Sequence, residues 1–187
     1  MGIILSASLI AQLEYKNNAW KQLHTTPQKL STIFLAKYAV ILVMMIQFFI
    51  LFNIGIFFVG IGPSILLRYV PFPSESFPYL FFLKKNIGFF IDCLPIIALQ
   101  YLLSIKYKNF LVSIGFGLLL LVASLFALSV KYGYFMPYSY SLFYYMKIMK
   151  NASQVPESFN IHWLAFAYFV VFSVVGYIMY VTKKEKG

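Results

Sequence analysis

Residues 38 to 67 read YAVILVMMIQFFILFNIGIFFVGIGPSILL, thirty positions without a charged side chain, bracketed by Lys37 and Arg68. As an α-helix such a run is about 45 Å long. The hydrocarbon core of a bilayer is about 30 Å thick and needs about 20 apolar residues to cross. The run therefore spans a membrane with length to spare, and must tilt, bend or protrude. Gly60, Gly62 and Pro63 are expected to end the span proper.

Three further blocks meet the same requirement. One lies between Lys85 and Lys106, interrupted only by Asp92; one runs from Asn109 to Val130; the last runs from Ile161 to Thr182. The expected spans are 33–62, 86–105, 110–130 and 161–182. Residues 1–13, MGIILSASLIAQL, would cover only about 20 Å as a helix and are read as a partial span. The expected architecture is an all-α, polytopic transmembrane domain occupying residues 1–187.

Composition agrees. Hydrophobic residues make up 61% of the 187 positions and charged ones only 11%, whereas soluble domains are nearer half apolar and a quarter charged. The net charge of +10 does not indicate nucleic acid, because the lysines stand singly or in pairs at the ends of apolar blocks. They suit anchors at an anionic lipid surface. Cys93 is the only cysteine, so neither an intrachain disulfide nor a cysteine-based metal site can form. His24 and His162 fall on opposite sides of the expected topology and cannot share a metal. No His-Glu-x-x-His, Gly-x-Ser-x-Gly or Walker A pattern occurs, and no residue is assigned a catalytic role.

Positive charge orients the chain. Lys16, Lys21, Lys29, Lys106, Lys108, Lys183, Lys184 and Lys186 fall on one side, which is expected to be the cytoplasm. Arg68, Lys84, Lys85, Lys131, Lys147 and Lys150 fall on the other, a bias of eight against six, or nine with Lys37. The expected location is the cell (plasma or inner) membrane. On the outer side, residues 132–145 hold eight aromatic residues: Tyr132, Tyr134, Phe135, Tyr138, Tyr140, Phe143, Tyr144 and Tyr145. Tyrosine suits a site with one apolar and one wet edge, so the 131–160 connection is expected to form helix that lies in the interface or dips into it. The sequon Asn151-Ala152-Ser153 on this side carries little weight.

The most specific segment is residues 14–37, EYKNNAWKQLHTTPQKLSTIFLAK. Tyr15, Ala19 and Leu23 fall at i, i+4 and i+8, with Trp20 beside them, while Lys16, Asn17, Lys21 and Gln22 face elsewhere. This reads as a short amphipathic cytoplasmic helix. It stops near Thr25 because Pro27 disfavours helical backbone at Thr26. Thr26 then suits an N-cap and Pro27 the first helical position of the next span.

Glu14, Trp20, Lys21, Leu23, Thr25 and Pro27, followed by an apolar run closed by Ala36 and Lys37, make the chain resemble the membrane (permease) subunits of type-2 ABC transporters. The order of spans, long outer loop, tight inner turn, aromatic outer helices and basic tail is similar too. The resemblance implies that residues 14–28 are a coupling helix docking on a separate ABC ATPase subunit, through Glu14, Tyr15, Trp20, Lys21, Leu23 and Pro27. It also implies that a second permease subunit, identical or not, completes the translocation pathway. ATP and Mg would belong to the ATPase, with no cofactor on this chain, and transport would be outward. The family has six spans where this chain supplies four and a remnant, so a first span is expected upstream of Met1. The rival reading is a non-transport scaffold, immunity or sensor subunit that binds a cytoplasmic protein.

Few polar residues fall within the blocks. Asp92 is the one acid there, six residues from the outer end of its block and expected to reach interfacial water, with Pro95 three residues on. Gln47, Asn53 and Gln100 are read as buried polar residues, and these three and Asp92 as candidates to pack helices together or line a pathway. Gly115 and Gly117 are read as allowing close helix packing.

Overall fold

The computed structural model describes residues 2–15, 29–67, 71, 78–107, 109–149 and 160–182. Among these there are six α-helices, one 3-10 turn and no strand: α1 (Gly2–Tyr15), α2 (Leu30–Leu66), α3 (Tyr79–Lys106), α4 (Phe110–Ala127), the 3-10 turn Gly133–Phe135, α5 (Tyr140–Ile148) and α6 (Ile161–Thr182). Helices α2, α3, α4 and α6 are long and apolar enough to cross a membrane. Inside hydrocarbon every backbone N–H and C=O must find a partner within the chain, which an α-helix supplies locally.

The long uncharged run is helical beyond its expected end. α2 continues through Gly60, Gly62 and Pro63 to Leu66. A proline removes only one ladder donor, and the amide of Leu67 still bonds the carbonyl of Pro63 at 2.9 Å. α3 also starts early, at Tyr79 directly after Pro78, because Lys84 and Lys85 restrict its depth in a membrane but not its helicity. The turn between α3 and α4 is tight: the Asn109 side chain accepts from the Leu111 amide at 2.9 Å and caps α4.

α3 is the centre of the bundle. Half of its most apolar stretch is buried, against 11–22% in the other three spanning helices. Its buried set, including Asp92, Cys93, Ile96, Ile97, Gln100, Tyr101 and Ser104, goes nearly round the helix. α2 by contrast buries one stripe, Ile33, Phe34, Tyr38, Ile41 and Met45, all in its first half. Phe34 packs against Tyr38, Tyr101, Tyr177 and Tyr180, joining α2, α3 and α6. Tyr38 and Ser173 hydrogen-bond at 2.8 Å across the same seam. The second half of α2 exposes Phe48, Ile50, Leu51, Phe52, Ile54, Phe58 and Val59. So large an apolar surface belongs in lipid or against another protein.

These contacts place the end of α1, the start of α2, the turn after α3 and the end of α6 at one end of the bundle. Ser8 of α1 meets Ser104 and Ser113 there, and Lys37 of α2 lies over the Tyr180 ring.

The segment after α4 dips back into the bundle. Gly133 lies against the Ala127 carbonyl so closely that any Cβ would overlap it. The chain then turns inward until Tyr138 packs on Ile96, Leu99, Leu120 and Leu121, about 10 Å back along α4. α5 returns beside α3 and sets Tyr144 against Gly88. Phe143 and Tyr140 of α5 are fully buried on Ile161 and Ala165 of α6.

Candidate functional site

The buried polar groups form two constellations, at two levels of α3. The inner one surrounds Gln100. Its amide nitrogen donates to Ser8 Oγ at 2.9 Å, to the Ser113 carbonyl at 2.9 Å and to Ser113 Oγ at 3.1 Å. Its oxygen accepts from the Tyr138 hydroxyl at 3.0 Å. Ser104 donates to the Gln100 carbonyl at 2.8 Å and meets Ser113 Oγ at 2.7 Å. Gly117 makes room for the group, since a Cβ there would strike Gln100 Oε1 and approach Ile4 Cγ2 to 2.7 Å. One carboxamide thus joins α1, α3, α4 and the tip of the dipping segment.

The outer constellation surrounds Asp92. It is fully buried and does not reach interfacial water as its sequence position suggested. α3 extends thirteen residues beyond it to Tyr79, and α5 and α6 close over it. Asp92 Oδ1 lies 2.8 Å from His162 Nδ1, while Oδ2 has no hydrogen-bond partner among the described residues. Asn160 accepts from the His162 amide at 3.1 Å and so fixes the first turn of α6 that carries the imidazole. The Tyr144 ring meets the imidazole edge-on at 4.8 Å, and Tyr144 itself fits only because position 88 is glycine. This pair ties α3 to α6 and, through Tyr144, to α5.

The other expected residues separate. Asn53, half-buried, accepts from Asn86 at 2.6 Å and donates to the Phe49 carbonyl at 2.7 Å, linking α2 to α3. Gln47 is not buried: it faces out of the bundle and makes no hydrogen bond among the described residues. Position 47 falls off the stripe Ile33, Phe34, Tyr38, Ile41 and Met45 that α2 buries, and so lies on its open face. Gly117 is closely packed, whereas nothing lies within 4 Å of a Cβ built at Gly115. Glu14 and Tyr15 belong to the last turn of α1. Their side chains, Trp20, Lys21, Leu23, Thr26, Pro27, His24 and the Asn151 sequon lie outside the described residues. No cluster of three or more His, Cys, Asp or Glu able to hold a metal occurs among the described residues.

Sequence reasoning missed His162, Tyr138 and the three serines of the inner node. A signal for the first existed, because His162 opens the last span on the side to which Asp92 also belongs. The serines are small, common in spanning helices and carry no spacing that marks them out. What the two constellations can do chemically is hold helices in register; neither presents a nucleophile beside a base.

Comparison with known proteins agrees with this architecture. No curated protein and no solved structure matches the chain. The pattern of the ABC-2 family transporter proteins matches residues 1–124, which include residues 14–28, α1 to α3 and nearly all of α4. This chain, a multi-pass membrane protein, therefore belongs to the ABC-2 family and is a membrane subunit of an ABC transporter.

Proposed function

We propose that the chain forms part of an outward translocation pathway in the cell membrane, driven by a separate ATPase subunit that acts on residues 14–28. ATP and Mg reside on that subunit, and this chain contributes no catalytic group. The observation that carries the reading is the shared end of the bundle: α1 ends and α2 begins beside the α3–α4 turn and the end of α6. A force applied to the segment joining α1 and α2 would reach both helices at once. α1 is pinned to α3 and α4 through Ser8, and α2 to α6 through Tyr38, so both would pull on the bundle.

Support for a second permease subunit comes from Gln47. It lies ten residues beyond Lys37, about 15 Å deeper in the membrane, and its carboxamide is exposed on an otherwise apolar face. A polar side chain at that depth finds its partner on another helix.

The test is reconstitution with the ATPase in inside-out vesicles. ATP-dependent accumulation of a substrate inside them supports export. ATPase binding without ATP-dependent flux of any candidate substrate supports the scaffold or sensor reading instead.

A further inference from the structure

Two cavities, one between α2, α3 and α5 and one between α1, α2 and α3, share Phe48, Phe49 and Phe89. The outer, about 380 Å³, is walled largely by aromatic rings, with Lys85 and Asn86 in its lining. The inner, about 330 Å³, runs on past Met45 to Cys93. Together they make a groove along α3 from Lys85 to Cys93, eight residues or about 12 Å.

The depth of the groove follows from the helix. Lys85 stands 21 residues from Lys106, about 32 Å along α3, which is close to the thickness of the hydrocarbon core. With Lys106 at one membrane surface, Lys85 sits at the level of the opposite headgroups, and the groove descends from there among the acyl chains.

Charge decides the occupant. Lys85 is half-buried, its ammonium lying 5.5 Å from the Phe81 ring centre and 5.8 Å from that of Tyr144. It forms no ion pair among the described residues. The one acidic side chain among the described residues, Asp92, is fully buried and turned to His162. The outer end of the groove, at Lys85, therefore offers a cation, and the walls offer rings.

We infer that this groove binds one anionic phospholipid of the outer leaflet, its phosphate at Lys85 and one acyl chain along Phe49 and Phe89 toward Cys93. A snorkelling lysine on a smooth helix face attracts anionic headgroups without order; here a shaped apolar slot begins where the ammonium ends, which fixes one chain in one place. The inference stands on the groove and its cation and holds whether or not the chain transports anything.

The test uses the full chain in nanodiscs with phosphatidylglycerol or phosphatidylcholine bearing a photoactivatable group on one acyl chain, and maps adducts by mass spectrometry. Phosphatidylglycerol adducts should concentrate on residues 2–6, 44–52, 82–93 and 144–148. Lys85→Gln should cut them about five-fold, toward the phosphatidylcholine level, the size expected for one lysine at the membrane surface. Lys85→Arg should retain them. Lys84→Gln, on the exposed side of the same turn, should leave them unchanged. Equal labelling by the two lipids, adducts spread over all helix faces, no adducts in the groove, or an equal loss in Lys84→Gln would each overturn the inference.

Discussion

Asp92 Oδ1 and His162 Nδ1 lie 2.8 Å apart, seventy residues from one another in the chain, and hold α3 against α6. Since Asp92 is fully buried and His162 about a third exposed, the histidine is the side that can be removed without opening the core. His162→Ala should destabilise the protein by about 3–5 kcal/mol, because it strands a buried carboxylate. Asp92→Asn in that background should recover part of the loss, since an amide carries no charge to bury. Thermal unfolding in detergent checks both, and a double mutant no more stable than His162→Ala would count against the pairing.

The inner node makes a second prediction. Gly117→Ala should push the Gln100 carboxamide off its bond with Tyr138, costing about 1–3 kcal/mol as overpacking does. Tyr138→Phe removes the same bond without the clash and should cost about 0.6–2 kcal/mol. Protease cleavage in the 128–139 segment should accelerate in both variants, more in Gly117→Ala. Unchanged cleavage would mean that the segment is not held by Gln100.

Topology can be read by single-cysteine labelling in a Cys93→Ser background. Lys108→Cys should react only after membranes are opened, and Lys147→Cys should react with an impermeant thiol reagent added to intact cells. Labelling of position 108 from outside would invert the orientation.

Truncating buried aromatic anchors at protein interfaces commonly costs 2 kcal/mol or more. Replacing Trp20 and Leu23 together by Ala should therefore abolish co-purification of the ATPase while membrane insertion stays at the wild-type level. Retention of the ATPase with wild-type flux would remove residues 14–28 from the coupling role.

Gln47→Leu tests the second subunit. Losing one interhelical hydrogen bond worth about 0.6–2 kcal/mol should weaken pairing by roughly 3- to 30-fold, measured as the monomer fraction on dilution in detergent. No shift would place Gln47 away from the subunit contact.

Much of this was legible in the chain itself. The spanning helices follow from uncharged runs such as residues 38–67, because a bilayer makes a local demand: enough consecutive apolar residues, with every backbone group bonded inside the same helix. The family likeness followed from an equally local pattern around Trp20 and Pro27. The polar sites were less legible. Gln47 and Gln100 look alike as lone carboxamides in apolar blocks, yet one faces out and the other is fully buried among four partners.

The sequence by itself determined which segments are long and apolar enough to cross a membrane, but not every helix end, since α2 runs on through Pro63 to Leu66 and α3 begins at Tyr79, ahead of Lys84 and Lys85. Only the tertiary structure decided that α3 is the centre, that the 128–149 segment turns back to reach Gln100, and that Asp92 meets His162. The physical reason is that lipid and protein interiors are equally apolar. A hydrophobic run therefore records that a face avoids water, but not whether a neighbouring helix or an acyl chain covers it.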